Sequence, residues 1–361
     1  MTTVFLTGFP GFLGTALVER LLDRYPAPVT ITCLVQSKFR AQAEARAAGL
    51  LGGAGRIHLV DGDITVPDLG LGELRPALQQ EVVEIFHLAA VYDLGVARSL
   101  AMRVNVDGTH NMLRFAHGCP NLKRFQYVST CYVSGNYPSI FRESDLSVSQ
   151  GFNNWYEETK YLAELEVQQS MARGLPTTIY RPSIVTGDSA TGATQKYDGP
   201  YYYIRWILKQ PEEVAVLPIV GKPDAARVNV VPRDFVIAAM AYLSGQDDSL
   251  GKVYHLCDPD PMSVTELIDA ISAATGRRIV RVPLPKGVAK SSLEYLPGME
   301  SLIGIEPESV EYFMQTTRYS CDNTLADLEG TGIICPPFIS YIDKLVDFVR
   351  ENPEVPSQAM V

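Results

Sequence analysis

Short apolar runs alternate with longer amphipathic stretches over the first 185 residues of the chain. Val4-Phe5-Leu6 predicts a strand, and Leu13, Leu17 and Leu21 mark one face of the helix after it. Pro26 and Pro28 close that helix, and VTITCLV at 29–35 reads as a strand buried on both faces. A charged, alanine-rich helix is expected from Lys38 to Leu50, then a strand at 56–60 and a buried run at 82–91. Residues 99–116 are helix-like, KRFQYVST holds the next strand, WYEETKYLAELEVQQ is strongly helical, and PTTIYRPSIV closes the series. Such alternation predicts an α/β fold, a doubly wound parallel sheet with helices on both faces.

Beyond Gly187 the pattern changes. Residues 188–200 are polar and glycine-rich, which predicts a loop, and YYYIRWILKQ predicts a helix. VNVVPRDFVIAAMAYLSG reads as a short strand running into a helix, and GKVYHLCDP as a further strand. MSVTELIDAISAATG is a helix with Ser263 as N-cap and Glu266 three positions on. The rest is mixed and ends in a proline-bearing tail. The expected division is a first domain over 1–187, rejoined by 226–260, and a smaller lobe from 188–225 and 261–361. No Pro/Gly/Ser linker separates them, so the two are expected to pack closely.

Composition narrows the setting without naming a function. The 361 residues are 46% hydrophobic and 20% charged, ordinary for a globular protein of about two domains. Lysine plus arginine number 31 against 41 acids, a net charge of −10 that argues against a nucleic-acid partner but not against one small phosphate ligand. The cysteines at 33, 119, 131, 257, 321 and 335 are scattered and form no CxxC pair, so reduced thiols are expected. MTTVFLTGFPG has no basic start and is broken by Gly8 and Pro10, unlike a signal peptide. The longest apolar run, Phe235 to Leu243, is too short for a membrane span, and a cytoplasmic setting is expected.

Chemistry first enters at Thr7-Gly8-Phe9-Pro10-Gly11-Phe12-Leu13-Gly14, between the first strand and first helix. The glycines suit a tight turn, close approach of backbone to a diphosphate, and close helix–strand packing, while the helix N-terminus offers free N–H groups to the anion. The strand before and the helix after supply the context such a motif needs. At the end of the second strand, where an acid would hold the ribose of NAD, the chain reads Gln36-Ser37-Lys38-Phe39-Arg40. A hydroxyl and two cations without a carboxylate favour NADP over NAD; the other reading of Lys38 and Arg40 is that they solvate the next helix. Asp63, in GDIT, is placed to bond the adenine amino group.

Tyr156 and Lys160 lie four apart on a predicted helix, hence on one face. A tyrosine is a poor proton carrier near neutrality unless a cation stabilises its phenolate, and Lys160 and an oxidised nicotinamide can supply that positive field. Ser129-Thr130 ends the preceding strand, on the side of such sheets where ligands bind.

Taken together, TGFPGFLG, GDIT, FHLAA, NVDGTHNML, YVSTCYVSG, YEETK and YRPSIVTG occur in the order and spacing of the extended short-chain dehydrogenase/reductases, and the chain resembles that family over nearly its whole length. The resemblance implies an NAD(P)-binding Rossmann domain with a C-terminal substrate-binding lobe. It implies Thr130, Tyr156 and Lys160 as the catalytic set, with Asn105 supporting the lysine through backbone and water. Pro182 and Ser183 would lie beside the nicotinamide, and Ile64, Leu88, Ala89, Ala90 and Val185 would join the cofactor contacts. Details of YVSTCYVSG, YEETKYLAEL, YRPSIVTGDS and the tail CDNTLADLEGTGIICPPFISYIDKLVDFV resemble the branch that reduces acyl thioesters, including fatty acyl-CoA reductases and terminal reductase domains of carboxylic acid reductases and peptide synthetases. That branch commonly reads CLVR where this chain has CLVQ; Gln36 removes the expected 2′-phosphate arginine, leaving Ser37, Lys38 or Arg40 to substitute.

The implied reaction is hydride transfer to a thioester or aldehyde carbonyl held by Thr130 and Tyr156, with Tyr156 giving a proton, a hemithioacetal collapsing to aldehyde and thiol, and a second reduction able to give the alcohol. A ketone or alcohol oxidoreductase and a sugar-nucleotide epimerase or dehydratase are the alternatives. The intact catalytic set argues against a non-enzymatic nucleotide-sensing module. Cys131 is expected to face away from the site as a structural thiol, and His87 to pack beneath the cofactor. The histidines at 58, 110, 117 and 255 make no ligand spacing, so no metal is expected. Tyr201, Tyr202, Tyr203 and Trp206 read equally as an acyl pocket or as helix packing. Arg277, Arg278, Arg281, Lys286 and Lys290 read more as a solvated face than as a site for coenzyme A or an acidic carrier protein. Homodimerisation through helices near 99–116 and 155–169 is left open.

Overall fold

The computed structural model describes residues 2–220, 223–284 and 316–357. Seven strands form one parallel sheet: β1 (Thr3–Thr7), β2 (Thr30–Val35), β3 (Ile57–Asp61), β4 (Val82–His87), β5 (Arg124–Val128), β7 (Thr177–Pro182) and β11 (Val253–Leu256). Their spatial order is β3-β2-β1-β4-β5-β7-β11, with β1 hydrogen-bonded to β2 on one side and β4 on the other. The chain thus winds outward in both directions from β1, and the crevice beyond the carboxyl ends of β1 and β4 is the ligand position such sheets provide. This is a Rossmann-like fold. Two short parallel pairs lie outside the sheet, β6 (Ile140–Phe141) with β13 (Arg318–Tyr319) and β8 (Ile184–Thr186) with β10 (Val230–Pro232).

Both faces of the sheet are covered, which explains why its strands read as continuous apolar runs rather than alternating ones. Val4 and Leu6 face a core with Leu17, Val18 and Leu21 of α1 (Phe12–Arg24) and Val236, Met240 and Leu243 of α8 (Arg233–Leu243). Phe5, one residue away and on the opposite face, packs with Met112 and Phe115 of α5 (Gly108–His117) and Ala163 and Val167 of α6 (Trp155–Ala172). A short helix, α3 (Leu74–Glu81), leads into β4. The helix expected over 99–116 is divided: after α4 (Arg98–Ala101), a π-helical turn spans Met102–Asp107 before α5 begins.

A second core joins α7 (Pro200–Leu208), α9 (Val264–Thr275), the paired parallel strands β9 (Val214–Val220) and β12 (Arg278–Leu284), and the last described helix, Ile342–Glu351, here α11. Ser263 and Glu266 form the expected capping box of α9. Strands β9 and β12 were not read from the sequence; the basic run at 276–290 hides β12. One segment assigned to the smaller lobe packs elsewhere. Helix α10 (Asp322–Leu328) lies on β11 and α8, with Leu328 in the first core, because Asp327 accepts from Lys252 at 2.6 Å and from Tyr254 at 2.5 Å. Among the described residues, no helix is long and apolar enough to cross a membrane.

Candidate active site

One cavity of about 1260 Å³ runs across the carboxyl ends of β1, β4, β5 and β7. It is larger than the roughly 300–1,000 Å³ of a typical single-ligand pocket. Gly8, Phe9, Gly11, Phe12, Leu13 and Gly14 line one wall. Gly8 adopts φ +97°, and a Cβ there would stand 2.9 Å from Leu88 Cβ; one at Gly11 would stand 2.8 Å from the Gly8 carbonyl. A Cβ at Gly14 would also run into that carbonyl. No side chain caps α1 and no acid occupies its first turn, so its leading N–H groups are left open to an anion.

At the β2 end, Gln36 Nε2 donates to Asp63 Oδ2 at 2.9 Å, and Asp63 Oδ1 accepts from Thr65 N at 2.8 Å. Gln36, Lys38, Asp63 and Ile64 line the cavity. Ser37 and Arg40 are not among the lining residues. Arg40 turns the other way and pairs with Glu44 at 2.8 Å and Asp61 at 3.1 Å. The cause is the short 3-10 turn Ser37–Phe39, which sets the register of α2 (Arg40–Gly49) so that Lys38, Gln42 and Arg46 border the cavity instead. Gln42 and Arg46 were missed in the sequence; their four-residue spacing from Lys38 is the signal that could have found them.

Thr130 stands two residues beyond the end of β5, and its Oγ1 donates to Pro182 O at 3.4 Å and accepts from Tyr132 N at 3.2 Å. Asn154 caps α6 by accepting from Glu157 N at 3.0 Å, which fixes Tyr156 and Lys160 in the first turns. Lys160 is buried, and its Nζ donates to Tyr127 OH at 3.0 Å and Val128 O at 2.8 Å. Burial pulls this ammonium down to about 7, with Glu164 opposing. Tyr156 is pushed up to about 12 by burial, while a hydrogen bond from Thr130 lowers it and the negative charges of Glu157 and Asp198 raise it. Lys160 directs its hydrogen bonds to Tyr127 and Val128.

A buried chain supports this lysine. His87 Nδ1 meets Thr7 Oγ1 at 2.8 Å and its Nε2 meets Thr109 Oγ1 at 3.1 Å, and Thr109 in turn bonds Tyr127. Burial and then the Lys160 charge bring His87 down to about 3, so it stays neutral. Asn105 lies in the π-helical turn, outside the cavity lining. Its Oδ1 accepts from Val91 N at 2.9 Å, and its Nδ2 donates to Val91 O and Thr159 Oγ1, both at 3.0 Å. It ties the loop after β4 to the residue before Lys160. Leu88, Ala89, Ala90, Pro182, Ser183 and Val185 all line the cavity.

The glycine cradle, open helix terminus and mixed donor–acceptor edge fit a nicotinamide dinucleotide. Ser183 adds an independent sign: its hydroxyl is buried and has no hydrogen-bond partner, as expected of a group that meets a ligand. Further along, Tyr92, Leu94, Lys196, Asp198, Tyr202, Val355 and Pro356 complete the wall near Tyr156. Lys196 Nζ lies 3.4 Å from Asp198 and 4.8 Å from the Tyr92 ring centroid. Only Tyr202 of the four aromatics singled out in α7 faces the cavity; Tyr201 OH accepts from Gly187 N, and Trp206 Nε1 donates to Val216 O.

Cys131 starts a 3-10 turn instead of continuing the strand, and its thiol donates to Arg181 O at 3.0 Å, away from the cavity. It clusters with Cys257 and Cys321, a grouping invisible in the sequence. Arg277 and Arg281 bond Ile207 O and Asp269, Arg278 is exposed, and Lys286 and Lys290 lie outside the described residues. On the faces raised for dimerisation, His110 pairs with Glu166 at 3.1 Å. Among the described residues, no three His, Cys, Asp or Glu side chains are grouped as metal ligands.

Residues 6–240 match the NAD-binding family described as male sterility protein. The chain is 31% identical over 281 residues to a linear gramicidin synthase of Brevibacillus parabrevis, covering 74% of this chain and 5% of that protein. It is 30% identical over 221 residues to fatty acyl-CoA reductase wat of Drosophila melanogaster, covering 50% of this chain and 42% of that protein. It therefore spans less than two-thirds of either relative. Among solved structures it is similar to the terminal R domain from the myxalamid PKS-NRPS biosynthetic pathway, at 29% identity and a TM-score of 0.83 over 99% of this chain and 92% of that one.

Proposed function

Because this chain belongs to the male sterility protein family and is an NAD(P)-dependent oxidoreductase of the extended short-chain type, we propose that it reduces the carbonyl of an acyl thioester or aldehyde with NADPH, using Tyr156 as proton donor. The observation that carries this reading is that Tyr156, Thr130 and Lys160 line the same cavity as the glycine cradle.

The backbone of Gly8–Gly14 would hold the diphosphate, Gln36 and Asp63 the adenosine, Lys38 and Arg46 a 2′-phosphate, and Ser183 the nicotinamide amide. Bound there, the reduced nicotinamide supplies hydride. Thr130 and Tyr156 donate to the substrate oxygen as charge develops on it, in a site that burial makes weakly screened. Tyr156 then yields its proton to that oxygen. Lys160, with two N–H groups spent on Tyr127 and Val128, has a third left to face the cofactor ribose. A thioester becomes a hemithioacetal, whose collapse releases aldehyde and thiol, so no covalent bond to the protein is required.

The test is a consumption screen of NADPH and NADH against acyl-CoAs, carrier-bound acyl thioesters, aldehydes, ketones and nucleotide sugars. NADPH loss matched by free thiol supports the reading. Turnover confined to ketones, or isomerised sugar nucleotide without net redox, overturns it.

A further inference from the structure

The proline-bearing tail, to which the sequence pattern assigns no role, returns to the cavity. After α11 the chain turns at Asn352, whose N–H and Nδ2 both donate to Phe348 O, at 2.9 and 3.0 Å. Residue Tyr197 then clasps the segment at two points. Its hydroxyl donates to Asn352 O at 2.7 Å, and its backbone N–H donates to Pro356 O at 2.9 Å. Arg205 Nη1 donates to Ser357 Oγ at 2.6 Å and stacks its guanidinium 5.2 Å over the Tyr197 ring. Tyr197 itself is fully buried against Tyr201 and Phe348. The tail is thus fixed against the loop that carries Asp198, whose charge is felt by Tyr156.

The result of the clasp is that Val355 and Pro356 line the cavity. Val355 and Ile184 both pack on the second core, and Ile184 and Tyr202 are lining residues too. Val355, Pro356, Ile184 and Tyr202 are apolar or aromatic members of a lining that also holds the polar pair Lys196 and Asp198. We infer that Val355 and Pro356, seated by Tyr197, form the wall of the acyl-accepting end of the cavity and set which acyl chains it admits, favouring an apolar chain. This rests on the thioester reading above.

The experiment uses the full chain and the variants Val355→Trp, Pro356→Trp and Tyr197→Phe. Pro356 is exposed, so a larger side chain there leaves the fold intact even if Val355→Trp does not. NADPH fluorescence on binding reports whether each variant is folded. The readout is the ratio of kcat/KM for dodecanoyl-CoA to that for butyryl-CoA, with calorimetric binding of dodecanoyl-pantetheine to the NADP-loaded protein. Both tryptophan variants are expected to lower the ratio by about tenfold, equivalent to about 1.4 kcal/mol, and to weaken dodecanoyl-pantetheine binding. Tyr197→Phe releases the segment at Asn352 and is expected to raise KM for the long chain with kcat nearly unchanged. A ratio unmoved by folded tryptophan variants overturns the inference. If the unsubstituted protein turns over no thioester, the reading of its reaction fails; calorimetry still judges the wall, because absent binding, or binding that neither tryptophan weakens, overturns it.

Discussion

Lys160 Nζ donates to the hydroxyl of Tyr127 at 3.0 Å and lies 4.6 Å from the centroid of that ring. The tyrosine is buried, comes from β5, and takes a further hydrogen bond from Thr109, so the sheet side of the fold supplies the lysine's solvation. Replacing Tyr127 with Phe keeps the ring and removes the acceptor. The charged ammonium loses a hydrogen bond of the kind worth roughly 1.5–3 kcal/mol, so its pKa falls further. The expected outcome is a pH–rate profile displaced to lower pH with NADPH binding retained, read from kcat/KM between wild type and variant. A profile identical to that of wild type would remove Tyr127 from the positioning of Lys160.

Burial sets the direction of the pH dependence itself. Lys160 is drawn down to about 7, whereas Tyr156 stands up at about 12. The acid therefore stays protonated through the neutral range while the ammonium is lost as pH rises. Since kcat/KM reports the free enzyme, it is expected to fall as pH climbs through about 7. The phosphates of a bound dinucleotide favour the ammonium, so the alkaline limb of kcat should lie higher than that of kcat/KM. Steady-state rates across the neutral range decide this, and a level kcat/KM would show that the lysine's charge is not needed.

Tyr156→Phe tests the proposed proton donor. Turnover should drop by about 10²–10⁴-fold, while NADPH binding, read from its fluorescence, persists because the glycine cradle is untouched. Thr130→Val should lower kcat as well, since it removes the hydroxyl that shares Tyr156's hydrogen bond. Retained turnover in Tyr156→Phe would assign the proton to another group.

Cofactor choice separates two arginines that the sequence could not rank. Arg46 borders the cavity, whereas Arg40 is committed to Glu44 and Asp61. Arg46→Ala is expected to raise KM for NADPH by about tenfold or more, with little change for NADH, because an arginine–phosphate bond is charge-assisted. Arg40→Ala should leave both within about twofold, since exposed pairs like those it makes contribute under about 1 kcal/mol. Equal losses in the two variants would contradict the placement.

What could be read from the sequence was whatever is local in the chain. The strand–helix alternation from Val4 to Val185, the glycine turn between β1 and α1, and the four-residue step from Tyr156 to Lys160 each depend on neighbours a few positions apart. The rest depends on register or on distant contacts. The 3-10 turn at Ser37 rotates α2 and exchanges Arg40 for Arg46. Desolvation, which no spacing encodes, raises the pKa of Tyr156 and lowers that of Lys160. Cys131, Cys257 and Cys321 meet only because β5, β11 and the segment before α10 converge. Val355 reaches the cavity through a clasp between Tyr197 and Asn352, which stand 155 positions apart in the chain.

Helix α6 is itself held by a charge pair with no access to water. Glu164 of α6 and Arg181 of β7 are both fully buried, with Arg181 Nη2 donating to Glu164 Oε1 at 2.6 Å and Nε to the same oxygen at 3.0 Å. Ser129 Oγ adds a donor to Glu164 at 2.5 Å, and Gln168 Nε2 another at 2.9 Å. Arg181 also reaches His255 Nε2 at 3.0 Å and Asp145 O at 2.8 Å. Glu164→Gln keeps the shape but leaves the guanidinium buried without its counter-charge, a change that costs about 3–5 kcal/mol. The expected result is a clear fall in Tm, with kcat reduced because α6 carries both Tyr156 and Lys160. Adding Arg181→Met to Glu164→Gln removes the stranded charge and should recover part of the lost stability, since replacing a buried pair is less damaging than breaking it. A double variant no more stable than Glu164→Gln alone would mean that the hydrogen bonds of Arg181 to His255 and Asp145, which Met also removes, matter more to stability than the stranded charge.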